Sequence, residues 1–260
     1  MEYIKLKMKK IVMMVMTIMM SLTFIACQNN NSNNTIKVLT SSGYEPYEMV
    51  DKTGKLIGFD IELMEALALE VGVEIEWVDV DFKGIIASLQ AQTADAAIAG
   101  ITPNDERREM VDFSNLYYSD LTGLTNQLIY KEGYSYTSYS DLEGLTVGAQ
   151  MGTVQAEIIE SIKDEYGFNV ELRETNSQVI EEIKTNRIDV LVVEGTVAES
   201  IILANPTLTS AQIENINDQD QGLAIAFPKD SEWTLKFNLA LETLKENGKL
   251  QELIDEWLVN

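Results

Sequence analysis

Two segments of this chain, 94 residues apart, carry the same pattern. Ile85 to Gly100 reads IIASLQAQTADAAIAG, and Val179 to Glu194 reads VIEEIKTNRIDVLVVE. In each, a short helical pattern leads into a turn that ends in aspartate, Asp95 or Asp189. An apolar run of four residues follows and stops on a marked residue, Gly100 or Glu194. A helix followed by a short, wholly apolar strand belongs to a sheet covered on both faces. Its repetition predicts two lobes built on one βαβ plan. The competing reading is a chance match, which any α/β chain can yield.

The remaining chain also alternates apolar runs with helical patterns, which predicts an α/β fold with largely parallel sheets. IKVLTSS reads as the first strand. Asp60 is expected to cap IELMEALALEVG, where Ile61, Met64, Leu67, Ala68 and Val71 fall at helical spacing and Gly72 suits a stop. EIEWVDV returns as a strand. In VGAQMGTVQAEIIESI, Gly152 and Thr153 open a second long helix.

The N-terminus sets residues 1–26 apart. Four lysines in MEYIKLKMKK precede an apolar stretch ending at Ala26, the pattern of a secretory signal. A single membrane anchor is the alternative, although a span wants about 20 apolar residues. Cys27 is the only cysteine, so no internal disulfide is expected, and QNNNSNN after it reads as a polar tether over 27–35. A formal charge of −23 argues against nucleic acid as a partner, because phosphate recognition needs a basic footprint. No phosphate loop, nucleophile elbow, nucleotide fingerprint or histidine-based metal cluster is present, so no cofactor and no metal is expected.

Open parallel sheets bind ligands beyond the carboxyl ends of their strands, where loops converge. Gly100 and Glu194 are expected at two such ends, one in each lobe. Gly152 and Thr153 form a third, at a helix start whose free N–H groups suit a carboxylate. SSGY, with Ser41 and Tyr44, forms a fourth. Within GITPNDERREMVDFS the residues from Thr102 to Glu106 read as a loop. An arginine there faces the cleft and grips a carboxylate with its planar fork, or else balances Asp105, Glu106 or Glu109 at the surface.

These pieces together resemble the extracytoplasmic solute-binding proteins, family 3, of bacterial amino-acid ABC importers, the family of glutamine- and lysine/arginine/ornithine-binding proteins. The resemblance runs from Ile36 to Trp257 through LIGFDIEL, DFKGIIASLQ, GITPNDERREMVDFS, SDLEGLTVGAQMGT, NRIDVLVVE and ENGKLQELIDEW. It implies a two-lobe, periplasmic-binding-protein-like (type II) fold that closes like a Venus flytrap about a hinge of two crossings. Lobe 1 takes 36–119 and 224–260, and lobe 2 takes 120–223, with crossings near Asp120 to Leu124 and Gln219 to Leu223. The family's loop arginine stands six residues before the phenylalanine of D-F-S, which selects Arg107 and leaves Arg108 solvated.

By the same resemblance Arg107, Thr102 and Thr153 meet a ligand carboxylate, and Glu194 and the Gly100 carbonyl meet its ammonium. Ser41, Tyr44, Phe82 and Gln150 form the side-chain pocket. Ser41 replaces an aspartate that many binders of basic ligands carry, a gap that Glu45 is positioned in sequence to fill. Asn104 stands where a second threonine is common. FIAC resembles a lipobox, with Phe24 in place of the usual leucine, which implies lipidation of Cys27. The implied protein is a monomer, lipid-anchored outside the bacterial cell membrane, that hands a free amino acid to a permease. It is not expected to be an enzyme.

Two rival readings stay open. The same fold hosts cyclohexadienyl dehydratases, which need a general acid; without histidine that acid is a carboxyl with a raised pKa, whereas Arg107 beside Glu194 is expected to lower it. A ligand sensor that reports to a receptor would carry the same binding site.

Overall fold

The computed structural model describes residues 35–119, 124–213 and 222–259. Two five-stranded sheets form two lobes. In the first, the order is β4 (Glu74–Asp79), β1 (Thr35–Thr40), β5 (Ala96–Ala97), β12 (Ala226–Phe227) and β6 (Asp112–Phe113). In the second it is β9 (Asn169–Arg173), β8 (Thr146–Gln150), β10 (Val190–Glu194), β7 (Asn126–Lys131) and β11 (Leu208–Gln212). A small hairpin pairs β2 (Met49–Val50) with β3 (Leu56–Ile57).

Read in that order the two sheets are the same. The first three strands of each run parallel and the last two join antiparallel. The expectation of largely parallel sheets is therefore corrected to mixed sheets, and the reason is the path of the chain. The last two strands of each sheet flank the crossings between lobes: β6 and β11 leave a lobe, β7 and β12 enter one, and only β7 and β12 run against the other strands of their sheets. The expected crossings themselves fall mostly outside the described residues, as do the signal, Cys27 and the tether up to Asn34. At their described edges Tyr118 forms an antiparallel bridge with Leu223.

The aspartates of the sequence repeat do the same work in both lobes. Asp95 accepts from the Lys37 N–H at 2.8 Å through Oδ2, and its own N–H donates to the Lys37 carbonyl at 2.9 Å. Asp189 accepts from the Thr146 N–H at 2.8 Å and donates to the Thr146 carbonyl at 2.9 Å. Each carboxylate thus satisfies a strand N–H at the start of the ladder, where an unpaired group would cost free energy.

Helix α1 (Phe59–Val71) buries Ile61, Leu63, Met64, Leu67 and Ala68 against the first sheet and ends on Gly72, whose φ of 80° is left-handed. Its start differs from expectation. Gly58 is the cap residue, and the first N–H groups, those of Phe59 and Asp60, donate to the carbonyls of Pro46 and Tyr47. A side chain on Gly58 would put Cβ 2.3 Å from the Tyr47 carbonyl oxygen. Because backbone carbonyls cap this helix, the side chain of Asp60 is freed from that task and is wholly buried. The C-terminal helices, Glu232–Glu246 and Lys249–Trp257, pack on α1 and complete the first lobe.

Candidate functional site

The carboxyl ends of both sheets meet around one cavity. All nine side-chain and backbone positions expected at a ligand site line it. Ser41, Tyr44, Phe82, Gly100, Thr102 and Arg107 come from the first lobe, and Gln150, Thr153 and Glu194 from the second. Gly100 lies three residues beyond the end of β5, not on it, with φ 55°; a Cβ there would meet the Tyr44 ring at 3.0 Å. The close approach of that ring to the backbone is what requires glycine.

The stretch that holds the two arginines is not a loop. Asp105–Met110 forms a short helix, and Asn104 caps it, its side chain accepting from the Arg107 N–H at 2.9 Å. Asn and Asp are preferred at such a position, which gives Asn104 a structural reason for replacing threonine. The turn buries Arg107 to 5% exposure and leaves Arg108 exposed beside Pro103 and over the Phe113 ring. The Arg107 guanidinium donates to the carbonyls of Thr102 (2.7 Å) and Gly152 (2.9 Å) and lies 5.6 Å from the centre of the Phe82 ring. Burial lowers its pKa from the ordinary value, yet an arginine stays charged. Two of its five N–H donors are engaged in these bonds, leaving others for an anion.

On the facing wall Thr153 caps the helix Val154–Tyr166. Its hydroxyl donates to the Gln150 carbonyl at 2.8 Å and accepts from the Ala156 N–H at 3.2 Å. That hydroxyl is committed to the cap, so an anion at this end meets the first backbone N–H groups of the helix. Gln150 uses its amide N–H on the Glu174 carbonyl at 3.1 Å. Glu194, at the end of β10, is 4% exposed and accepts from the Tyr47 hydroxyl at 2.6 Å. Burial pushes its pKa up to about 8, with the Asp60 charge adding to the rise. The expected lowering by Arg107 is not what the structure gives, because loss of hydration outweighs the Tyr47 hydrogen bond and no cation among the described residues is bonded to this carboxyl.

Three residues of this site escaped the sequence reading. Glu48 is wholly buried and lines the cavity, and neither of its carboxyl oxygens meets a protein N–H or hydroxyl donor. Glu45, expected to supply the pocket's acid, is exposed. Asp60, read as a helix cap, accepts instead from the Gly100 N–H at 2.7 Å and the Tyr117 hydroxyl at 2.9 Å. Tyr47 is fully buried and reaches across to Glu194. Their signal was the EPYE turn followed by GFD, where Glu45 and Glu48 flank a tight turn that itself carries no cation.

Comparison with known proteins places this geometry. The family model for bacterial extracellular solute-binding proteins, family 3, matches residues 36–135 and 130–260. The chain belongs to that family. Among family 3 relatives, the arginine-binding extracellular protein ArtP of Bacillus subtilis is 36% identical over 255 residues, covering 96% of this chain and 98% of the relative. A probable histidine-binding protein of Campylobacter jejuni is 31% identical, over 96% of this chain and 99% of that one. Among solved structures, an ancestral arginine-binding protein bound to arginine superposes with a TM-score of 0.80 at 32% identity, covering 86% of this chain and 98% of its own. The two-lobe family 3 fold expected from the sequence is thus the fold observed, and the relatives named here are amino-acid-binding proteins.

Proposed function

We propose that this family 3 protein captures a basic amino acid, arginine foremost, between its lobes and delivers it to an ABC permease. The observation that carries the reading is the charge arrangement of one cavity. Arg107 is the only cation among the described residues lining it, and the buried acids Glu48 and Glu194 lie in the same space. An α-amino acid with a cationic side chain presents one anion and two cations, the complement of that set. Arg107 and the helix start at Thr153 take the carboxylate, with Thr102 beside them. Glu194 and the Gly100 carbonyl take the α-ammonium. Glu48 takes the cationic end of the side chain, Tyr44 and Phe82 provide faces along it, and Ser41 and Gln150 complete the pocket. The arginine-binding relatives support this choice of ligand.

The lobes are 36–119 with 224–260, and 120–223, closing about the two crossings. The protein works outside the cell membrane as a monomer, held by a lipid on Cys27 after removal of residues 1–26. A thermal-shift panel of the twenty amino acids, ornithine and citrulline tests the ligand. A ligand at ~1,000 times its Kd adds about 4 kcal/mol; arginine is expected to give the largest shift. A dominant response to glutamine or another neutral amino acid would overturn the basic specificity.

One observation favours the dehydratase alternative: Glu194, held largely protonated at neutral pH, is the kind of acid that chemistry needs. Incubation with prephenate or arogenate is expected to give no phenylpyruvate or phenylalanine.

A further inference from the structure

Two carboxyl groups of lobe 1 are buried with no cation bonded to either among the described residues. Glu48 ends the tight turn that begins at Gly43, and Asp60 sits in the first turn of α1, which the Pro46 and Tyr47 carbonyls of that turn cap; both carboxyls are wholly buried, and neither Glu48 oxygen nor Asp60 Oδ1 meets a donor. Two carboxyls buried on adjoining turns with no cation bonded to either cannot both stay ionised, so the pair holds a proton. Asp60 is the better acceptor, since Gly100 and Tyr117 already donate to its Oδ2. The proton therefore sits on Glu48.

The other titratable groups around Glu48 reinforce this. Glu45 and the ring of Tyr44 lie on the same turn, Glu194 approaches from the end of β10, and Tyr117 from beyond β6; none of them brings a positive charge. Arg107 shares the cavity but is bonded to the carbonyls of Thr102 and Gly152. Burial and the neighbouring acids keep Glu48 well above the usual carboxylate range. Among the described residues no three His, Cys, Asp or Glu side chains have the geometry to hold a metal ion.

We propose that the Glu48–Asp60 pair is a proton-for-cation exchange site: docking of a cationic ligand side chain on Glu48 releases the shared proton to solvent. This rests on the basic-amino-acid reading above. Charge balances in the exchange. Protonated Glu48 and the free cation become a Glu48 carboxylate paired with that cation, and one proton passes to the buffer. A neutral side chain of the same shape leaves the proton in place.

Calorimetric titration of the protein with L-arginine and with L-citrulline, in buffers of different ionisation enthalpy near neutral pH, counts the protons released. Effects at Glu194 are common to both ligands and cancel. Arginine is expected to release about one proton more than citrulline, and its affinity to rise up to ~10-fold more per pH unit in the acid range. Glu48→Gln is expected to abolish the difference. Asp60→Asn, which keeps an acceptor for Gly100, is expected to reduce it. If citrulline binds too weakly to titrate, the proton count for arginine on the wild type against these variants decides. Arginine binding with no extra proton, or a count unchanged in both variants, overturns the exchange while leaving the ligand assignment standing. No binding of arginine at all overturns the assignment itself.

Discussion

At the scale of single residues, the helical turn that separates Arg107 from Arg108 turns one sequence doublet into two different groups. Arg107→Ala is expected to weaken ligand binding by about 2–5 kcal/mol, because a buried charge partner is lost, which is roughly 30-fold or more. Arg108→Ala is expected to stay within a few fold; calorimetry on both variants reads the contrast directly. The buried acids predict a pH dependence of stability with a definite sign. Glu194 and Asp60 are raised to about 8 and about 7, so the folded state binds protons that the unfolded state has lost. Their contribution is complete below the ordinary carboxylate pKa, near ~4, and is lost as pH rises through the folded values. The ligand-free Tm is therefore expected to fall between about pH 5 and pH 8, and Glu194→Gln is expected to flatten the curve.

At the scale of elements, the paired aspartates offer the sharpest test of the duplicated plan. Asp95→Ala and Asp189→Ala each strip an acceptor from a strand N–H, and each is expected to cost about 1–3 kcal/mol. The two sites lie in different lobes, so the double variant is expected to show the sum of the two losses in denaturant unfolding. This repeat was legible because it rests on local chemistry: apolar runs, turns and one acid at a fixed offset. Glu194 was legible for the same reason, as the residue that closes an apolar run, whereas Arg107 was distinguished from Arg108 only by the spacing to Phe113 that the family resemblance supplies. Glu48 and Asp60 were not. Their burial follows from backbone carbonyls of the Pro46–Tyr47 turn capping α1, a contact between segments that no residue type announces. Local propensity likewise favoured Asp60 as a cap, and tertiary contact overrode it. The short helix at Asp105–Met110 was missed because six residues are too few to show a period.

At the scale of the whole molecule, the lobes touch through contacts of very different worth. Arg107 to the Gly152 carbonyl and Tyr47 to Glu194 are buried, whereas Lys83 to Glu174 at 2.8 Å is half exposed. An exposed pair contributes about 0–1 kcal/mol. Lys83→Ala is thus expected to leave both Tm and ligand affinity nearly unchanged, while Tyr47→Phe, which removes the hydroxyl that reaches Glu194, is expected to change affinity measurably. Hinge closure itself predicts a smaller radius of gyration with ligand in X-ray scattering, since only a ligand touching both lobes favours the closed form. The shared strand order of the sheets also bears on the order of synthesis. The second sheet draws all its strands from Asn126–Gln212, one uninterrupted stretch, but the first lacks its fourth strand until Ala226 and Phe227 are made. A ribosome therefore releases the middle of this protein able to fold while its beginning still waits for its end.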